Sequence, residues 1–561
     1  MKMITKKQNL SSVFSSKYRH GVMCWLTVVF LLQSFSVFSQ QIKLKITEPY
    51  LNIPISNSAK LEVMKINVEG KTKREFPVQL ANDTINYWIY IDVTEFKGQT
   101  ITLNFPVASK SLSRIYQDVK INGADSLYKE INRLQFHFTV KRGWCNDVNG
   151  PIYFNNQYHL FWQSFPFGLK WNTTYMYWGH AVSNDLIHWT ELPHALMLDS
   201  LGSPWSGSAL IDKNNAGGWG KDALVLYYTA FNGVSKKQVQ CIAYSTDNAK
   251  TFTRYAGNPV LDSNHEMGND TRDPKVFWYE PSKQWVMVLF EKNGLSFYNS
   301  ADMKKWEKQS RIEDLWECPD FFELPVDGNN NNKKWVLHGG SADYYIGNFD
   351  GKRFTPETPK LRYADGLYTW GDILYAAQTF ENMPDNRRVQ IAWARGIEHE
   401  GMPFTQMLLF PTEFGLKTTN KGLRLVANPI KEIALLHKQE YKWTSLTCQE
   451  ANKKLELIKP QPLHVKISFT VDKGKSLKLY FHGKELVNLL SDDFPKAENE
   501  MEILIDKSIA EIFINKGERY IVKQLSSVTK NDGLYFESDK YGPFINKLEV
   551  FEMKSMWDGI K

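Results

Sequence analysis

Apolar and polar residues alternate in short runs along most of this chain, which is the pattern expected of half-buried β-strands. The first clear run is 42–46, and similar runs follow at 87–91 and 100–103. Turn-forming residues separate these runs, so residues 41–128 are predicted to form a small N-terminal β domain. This segment contains no convincing acid pair or nucleophile, and it is therefore expected to be an accessory module.

Five hairpin-like units follow between residues 135 and 395, and each pairs two apolar runs across a polar turn. They are Ile152–Gln163, Ala209–Ala230, Val276–Glu291, Phe321–Gly340 and Thr379–Arg395. A second repeat places a Ser-x-Asp turn ahead of an aromatic residue at Ser183, Ser245 and Ser300. This repeat favours the blades of a β-propeller over a sandwich or a barrel.

Beyond the repeats, residues 428–438 resemble a short helical connection, and alternation resumes at 477–481 and 501–505. This pattern predicts a terminal β-sandwich. The predicted fold is all-β. It has an N-terminal domain at 41–128, a five-bladed propeller at 129–427, and a linker with a C-terminal β-sandwich at 428–561.

Most of the excess positive charge lies at the start of the chain. The formal net charge is +7, but five of the cations lie in an acid-free segment before residue 41. The remainder is nearly balanced and has no basic run, so it lacks the electrostatic signature of a nucleic-acid-binding protein. The first 40 residues combine a cationic start, an apolar stretch and small residues. They predict a signal peptide cleaved near Ser39, with a membrane anchor as the alternative.

The composition gives no indication of a metal or another cofactor. The five cysteines are scattered without CxxC spacing. Three histidines, His159, His180 and His188, lack the spacing of a HExxH zinc motif. We therefore expect no metal, no cofactor and, after signal cleavage, no association with a membrane.

Residues that begin the innermost strand of each propeller blade gather at one mouth of the central channel. In this sequence those segments carry acids and indoles. They are Asn146-Asp147, Trp205-Ser206-Gly207-Ser208, Arg272-Asp273, Glu317-Cys318-Pro319-Asp320 and Trp370-Gly371-Asp372. The sequence therefore predicts one site built from several distant segments.

Hydrolysis of a glycosidic bond requires one carboxylic acid and one carboxylate, and Asp147 and Glu317 meet this requirement. Asp147 lies among amides and is expected to stay ionised. Glu317 lies beside the apolar Trp316 and is expected to hold a proton more readily. Asp273 follows Arg272, which favours a charged carboxylate that binds sugar hydroxyls, although a structural ion pair is the alternative.

Several motifs resemble those of glycoside hydrolase family 32, which contains invertases, inulinases and levanases. They are Trp144–Gly150, Tyr158–Gln163, Trp178–Ser183, Asp185–Trp189, Trp205–Ser208, Arg272–Pro274 and Glu317–Asp320. The resemblance covers the chain from about residue 135 to the C-terminus. It implies a five-bladed propeller joined to a β-sandwich, and retaining hydrolysis of β-fructofuranosides such as levan, inulin or sucrose.

The resemblance also implies a role for each site residue. Asp147 would be the nucleophile that forms a fructosyl-enzyme, Glu317 the acid/base, and Asp273 the stabiliser that holds fructose hydroxyls. The subsite for the terminal fructose would be shaped by Asn146, Gln163, Trp171, Trp205, Ser206 and Arg272. The N-terminal module resembles an extra domain of some bacterial fructan-degrading relatives, which indicates a secreted bacterial enzyme, periplasmic or extracellular.

Three departures from the family pattern bear on specificity. Cys145 and Val148 replace the usual Met and Pro beside the nucleophile, and Thr369-Trp370-Gly371 replaces an Asp-aromatic-Gly. The acids are intact, so the changes affect the expected substrate preference more than the expected catalysis. An endo-levanase or a fructosyltransferase built on the same site is an alternative, and so is an inactive fructan-binding protein.

Overall fold

The computed structural model describes residues 40–107, 109–263, 268–368, 371–459, 462–491, 498–525, 533–538 and 544–559. Strands are the dominant secondary structure and helices are few and short, which confirms the all-β prediction. The predicted signal peptide lies outside the described residues apart from Gln40, and so do Thr369 and Trp370. Within these ranges no helix is long and apolar enough to cross a bilayer.

The N-terminal region forms two antiparallel sheets, ordered β1-β6-β3-β4 and β5-β2-β7. The strands are β1 (Gln40–Lys45), β2 (Tyr50–Ile55), β3 (Glu62–Val68), β4 (Lys71–Val78), β5 (Tyr87–Asp92), β6 (Thr100–Phe105) and β7 (Tyr116–Asp118). Short 3₁₀ helices lie at Thr94–Phe96, Lys110–Arg114 and Ala124–Ser126. The alternating residues predicted to be apolar, such as Ile89 and Ile91, point into a core that both sheets share.

Three sheets of consecutive antiparallel strands come next. The first contains β8 (Gly143–Phe154), β9 (Gln157–Phe165), β10 (Tyr177–Ser183) and β11 (Trp189–Leu196). The second contains β12 (Ser203–Asp212), β13 (Ala223–Phe231), β14 (Gln238–Ser245) and β15 (Thr253–Arg254). The third contains β16 (Thr271–Tyr279), β17 (Gln284–Glu291), β18 (Gly294–Ser300) and β19 (Glu307–Glu313), with a 3₁₀ helix at Glu280–Ser282.

A larger sheet closes this part of the chain, in the order β23-β22-β21-β20-β31-β29-β28, with β24 and β32 on its sides. The strands from this part are β20 (Asp320–Val326), β21 (Asn329–His338), β22 (Asp343–Phe349), β23 (Phe354–Pro356), β24 (Leu361–Arg362), β25 (Ala364–Asp365), β26 (Leu367–Tyr368), β27 (Gly371–Asp372), β28 (Leu374–Thr379), β29 (Val389–Ala394), β30 (Phe404–Thr405), β31 (Thr412–Thr419) and β32 (Gly422–Pro429). Strand β30 pairs in parallel with β8, which joins the end of the region to its beginning. This arrangement fits a β-propeller.

The first strands of successive sheets lie side by side. Strand β8 contacts β12 and β28, and β12 contacts β16. Hydrogen bonds link them: the Gly150 N–H donates to Gln378 Oε1 at 2.7 Å, and Gln378 Nε2 donates to the Gly207 carbonyl at 2.9 Å. The Ser208 hydroxyl donates to the Pro274 carbonyl at 2.7 Å. These hydrogen bonds hold the first strands of the sheets close to one another.

We expect Gly150→Ala to destabilise the protein by about 2–4 kcal/mol. Gly150 has φ of +50°, and a Cβ there would lie 2.3 Å from the Ala209 nitrogen in the neighbouring strand. Gly70→Ala is the matched control, because Gly70 has φ of +76° and no atom within 4 Å of its Cβ position. Chemical denaturation should show a clearly larger loss of unfolding free energy for Gly150→Ala than for Gly70→Ala. Equal losses would mean that the close approach of β8 and β12 adds nothing to the cost of the substitution.

The C-terminal region forms two further sheets, ordered β25-β39-β38-β37-β34-β41-β33 and β36-β35-β40. Its strands are β33 (His437–Thr447), β34 (Leu463–Thr470), β35 (Ser476–Phe481), β36 (Lys484–Leu490), β37 (Asn499–Asp506), β38 (Ile509–Ile514), β39 (Arg519–Gln524), β40 (Leu534–Ser538) and β41 (Phe544–Met553). Apolar side chains from both sheets, among them Val465 and Leu479, form one core.

Two helices in this region show how well the sequence locates helical turns. The helix-like connection predicted at 428–438 contains a 3₁₀ helix at Lys431–Leu436. A second helix, α1 (Cys448–Leu455), was not predicted, and it begins at a capping box formed by Thr447 and Glu450. The Thr-x-x-Glu spacing of this box is a readable start signal.

Candidate active site

Three candidate residues lie where the innermost strands lose their regular register. The shifts fall between Cys145 and Val148 in β8, between Pro204 and Gly207 in β12, and between Arg272 and Lys275 in β16. Asp147, Ser206 and Asp273 occupy these irregular positions. Such a bulge turns a side chain out of the alternation of its strand, which aims these groups at the mouth of the channel.

The backbone is also strained at the site. Asp273 and Cys318 have φ of 63° and 45°, a region that residues with a side chain rarely adopt. Two hydrogen bonds hold this geometry. The Asp273 N–H donates to Thr229 Oγ1 at 2.9 Å, and the Cys318 N–H donates to Asp273 Oδ2 at 3.0 Å. The strained turns therefore bring residues 273 and 318 into direct contact.

A cavity of about 470 Å³ opens at this mouth. The structure places all nine residues predicted from the sequence on its wall: Asn146, Asp147, Gln163, Trp171, Trp205, Ser206, Arg272, Asp273 and Glu317. Seven further residues complete the wall, namely Thr173, Met176, Gln238, Asp270, Tyr375, Trp393 and Arg395. A single cavity therefore collects residues from chain segments as far apart as positions 146 and 395.

Asp147 lies deep in the cavity, and its carboxylate accepts several hydrogen bonds. Ser206 Oγ donates to Oδ2 at 2.8 Å, and Asn146 Nδ2 donates to Oδ1 at 3.1 Å. Burial and the charge of Glu317 raise the pKa of Asp147 above its ordinary value, while these hydrogen bonds act in the opposite direction. The donors by themselves favour the ionised form expected from the sequence, but burial outweighs them.

Glu317 has polar partners, which differs from the apolar surroundings expected from its neighbours in sequence. Its Oε2 accepts from Arg272 Nε and Nη2 at 2.9 and 2.6 Å, and its Oε1 accepts from the Tyr375 hydroxyl at 2.5 Å. Trp316 points away and packs against Phe290 with ring centroids 5.0 Å apart. Donors from Arg272 and Tyr375 therefore orient the carboxyl group.

Asp273 is almost completely buried beside these two acids. Burial is the main cause that raises the pKa of Asp273 to about 7, and the charges of Glu317 and Asp147 add to it, whereas Arg272 opposes it. Arg272 Nε lies 3.8 Å from Asp273 Oδ2. Asp273 and Glu317 thus share one guanidinium with Asp147 close by, so that one proton held among the three acids is electrostatically favoured.

The remaining predicted residues form the side walls. Gln163 Nε2 donates to the Pro204 carbonyl at 3.1 Å, and Asn146 Oδ1 accepts from Trp144 Nε1 at 3.0 Å. Trp205 stacks on Phe231 with centroids 4.0 Å apart. Trp171 differs from the others because it is 58% exposed and lies at the rim.

The fifth predicted segment, Trp370-Gly371-Asp372, differs from the other four. Asp372 does not line the cavity, and its carboxylate contacts Arg362 instead. The cavity residue from this part of the chain is Tyr375, three positions later, whose ring lies under the Arg395 guanidinium at 3.8 Å. Sequence reasoning missed Tyr375, because neither periodicity nor charge distinguishes it within the apolar run of β28.

Comparison with known proteins shows the family to which the chain belongs. Residues 137–429 match the family described as "Glycosyl hydrolases family 32 N-terminal domain". The chain belongs to glycosyl hydrolase family 32 and is a glycosidase, which confirms the resemblance noted in the sequence. A levanase of Bacillus subtilis (strain 168) is 34% identical to it over 496 residues, which cover 77% of this chain and 72% of that protein.

Fungal proteins are also similar to this chain. An extracellular exo-inulinase of Aspergillus niger is 34% identical over 353 residues, which cover 54% of this chain and 65% of that protein. Among solved structures, an exo-inulinase from Aspergillus awamori superposes with a TM-score of 0.66 at 26% sequence identity, over 77% of this chain and 100% of that chain. These matches support the same fold for the cavity-bearing part of the chain.

Proposed function

We propose that the protein is a secreted, retaining, exo-acting β-fructofuranosidase that removes terminal fructose from levan, inulin or sucrose. The single observation that carries this proposal is the meeting of Asp147, Asp273 and Glu317 around one cavity. Relatives named levanase and exo-inulinase support the choice of a fructan as substrate. The predicted signal peptide and the extracellular relatives support secretion.

In the proposed reaction, an Asp147 oxygen attacks the anomeric carbon of the terminal fructose while Glu317 protonates the departing oxygen. The bond to the leaving sugar breaks as the bond to Asp147 forms. Glu317, now ionised, then takes a proton from water, and the resulting hydroxide displaces Asp147 and releases fructose. Arg272 and Tyr375 hold Glu317 in place through both steps, and Asp273 accepts hydrogen bonds from fructose hydroxyls.

The fold that we propose around this site has five blades in residues 129–427. Each of the five hairpins β8–β9, β12–β13, β16–β17, β20–β21 and β28–β29 would supply the inner half of one blade. Residues 41–128 would be an accessory domain. Residues 428–561 would comprise the linker and a C-terminal β-sandwich, since their two sheets share one core.

The test of this function is a time course with purified protein on sucrose, inulin and levan, with separation of the products. Free fructose from the first time points supports the proposal. Internal oligosaccharides would show an endo-levanase, new longer oligosaccharides a fructosyltransferase, and binding without any product an inactive fructan-binding protein. Proton NMR of the first product gives the stereochemistry, and β-fructose released first is expected for retention.

Ser206→Ala is expected to move the acidic limb of the kcat/KM profile to higher pH. The Ser206 hydroxyl stabilises the ionised form of Asp147, so its loss raises the pKa of that acid further, and less nucleophile is ionised at low pH. We expect about a tenfold loss of activity on the acidic side. The matched control is Ser208→Ala, whose hydroxyl donates to the Pro274 carbonyl and contacts no carboxylate. If the acidic limb of the kcat/KM profile of Ser206→Ala stayed at the wild-type pH, a group other than Asp147 would be responsible for that limb.

A further inference from the structure

One arginine on the cavity wall has no acidic partner in the part of the chain that the structure describes. This residue, Arg395, follows directly after β29 and lines the cavity. The other arginine of the wall, Arg272, pairs with three carboxylates. The carboxylate of Asp372 lies in the segment beside Arg395 but pairs with Arg362. The positive charge of Arg395 therefore acts mainly on uncharged groups nearby.

The segment Gly371–Ile373 holds Arg395 in place. The Arg395 Nε donates to the Asp372 carbonyl at 2.9 Å, and the Arg395 backbone N–H donates to the Ile373 carbonyl at 2.7 Å. Gly371 leaves room for the side chain, since a Cβ at that position would lie 2.8 Å from Arg395 Nη2. The guanidinium thus has a defined position on the wall.

The guanidinium of Arg395 covers the ring of Tyr375, with its central carbon 3.8 Å from the ring centre. A cation over the face of an aromatic ring is attracted to the ring and polarises it. The hydroxyl of the same ring donates to Glu317 Oε1 at 2.5 Å. Burial, together with the charge of Glu317, raises the pKa of Tyr375, so that the hydroxyl keeps its proton and remains a donor. Direct contacts therefore connect Arg395 through Tyr375 to Glu317.

The hydrogen bond from Tyr375 to Glu317 changes in strength during the proposed reaction. Glu317 passes from a carboxylic acid to a carboxylate as it protonates the departing oxygen. A hydrogen bond to a charged acceptor is stronger than one to a neutral acceptor, so this bond strengthens as the proton leaves. An interaction that strengthens along a step lowers the barrier of that step. A cation that polarises the donor increases the effect.

We propose that Arg395 is a positioning residue for the acid/base: it fixes the Tyr375 ring, polarises its hydroxyl, and thereby assists proton transfer from Glu317 to the departing oxygen. This inference rests on the proposed function, because it takes Glu317 as the acid. Arg395 acts without touching the sugar. Its contribution is therefore confined to substrates whose leaving group requires a proton.

The experiment compares two substrates in the full-length protein. One is whichever of sucrose, inulin and levan the wild type cleaves fastest, and the other is β-D-fructofuranosyl fluoride, whose fluoride departs with little need of a proton. We expect Arg395→Met to lower kcat/KM for the natural substrate about tenfold, mostly through kcat, and to change it less than about twofold for the fluoride. Arg395→Gln, which is uncharged but still able to donate to the Asp372 carbonyl, replaces it if the Met variant does not fold. Arg395→Lys, which keeps the charge, should recover part of the loss.

A double mutant tests whether the effect passes through Tyr375. Tyr375→Phe keeps the ring under the guanidinium but removes the hydroxyl, and it should by itself lower kcat/KM for the natural substrate about tenfold. Adding Arg395→Met to Tyr375→Phe should then change kcat/KM less than about twofold. Arg254→Met is the matched control, because its guanidinium also lies over a tyrosine ring, that of Tyr228 at 5.3 Å, but outside the cavity. The ratio of kcat/KM between the two substrates should stay at the wild-type value in this control.

Three results would overturn the inference. The first is an equal loss on both substrates, which indicates a structural role for Arg395. The second is a full further loss when Arg395→Met is added to Tyr375→Phe, which indicates that Arg395 acts on the sugar directly. The third is a wild-type kcat/KM on both substrates in the Arg395 variants. A wild type that cleaves neither the natural substrates nor the fluoride would instead refute the proposed function.

Discussion

Asp147→Asn is expected to lower kcat for fructose release by at least about 10⁴-fold, with little change in KM. Asparagine keeps the size of the side chain and can still meet Ser206, but its amide cannot form the fructosyl-enzyme. The loss therefore falls on the chemical step. Steady-state release of fructose from the preferred fructan measures the loss of kcat and the change in KM. Calorimetry measures substrate binding separately.

Asp314→Asn is the matched control for this experiment. It removes one carboxylate close to Glu317 in sequence, but the Asp314 side chain is 67% exposed and pairs with Lys360 outside the cavity. Its activity should equal that of the wild type. If the variant at 147 kept more than about one hundredth of wild-type kcat, Asp147 would not be the nucleophile.

Asp506→Ala is expected to destabilise the protein by about 3–5 kcal/mol. Asp506 lies at the end of β37, completely buried, and accepts the backbone N–H groups of Gln135, Phe136 and His137 at 2.9–3.2 Å. It also lies 3.0 Å from His137 Nδ1. Removing it leaves three backbone donors without their acceptor and a buried imidazole with one fewer carboxylate.

The cluster around His137 joins the start of the propeller region to the C-terminal sheet. Glu511 in β38 lies 2.6 Å from His137 Nε2 and accepts the Phe410 N–H at 2.8 Å. Burial by itself lowers the pKa of His137, but the hydrogen bonds to Asp506 and Glu511 outweigh this effect and raise the pKa to about 9. The imidazole is therefore charged at neutral pH and links the two regions.

This raised pKa makes stability depend on pH in a defined direction. The folded protein holds the His137 proton more tightly than the unfolded chain, whose histidine pKa is about 6.5. The contribution, about 3 kcal/mol, is fully present below pH about 6.5 and is lost as the pH rises through about 9. Thermal unfolding between these pH values should therefore show a falling Tm in the wild type.

His137→Gln tests the same cluster, because glutamine keeps hydrogen-bonding groups but does not titrate. We expect a lower Tm at pH 6 and a much weaker dependence on pH up to 9. Asp472→Ala, an exposed position in the C-terminal region, is the control and should match the wild type. A wild-type Tm that is constant over this range, or an unchanged Tm in Asp506→Ala, would contradict the account.

Much of the candidate site was predictable from the sequence. All nine predicted residues line one cavity. Seven of them belong to the motifs at 144–150, 205–208, 272–274 and 317–320, each of which lies at the start of a hairpin. Other members were not predictable. Tyr375 and Asp270 occupy ordinary strand and turn positions, and they enter the cavity only through the packing of β28 and through the contact with Arg272.

The strand pattern, the hairpin repeat and the acids of the site were readable in the sequence, because alternation and residue chemistry are local properties of the chain. The way in which those acids are arranged depends on long-range packing. Bulges and left-handed turns at 147, 206, 273 and 318 aim the side chains, and Glu317 faces Arg272 and Tyr375 instead of its apolar neighbour. The cluster of His137, Asp506 and Glu511 likewise joins residues more than 360 positions apart. Such contacts depend on which strands pack together, which no local pattern encodes.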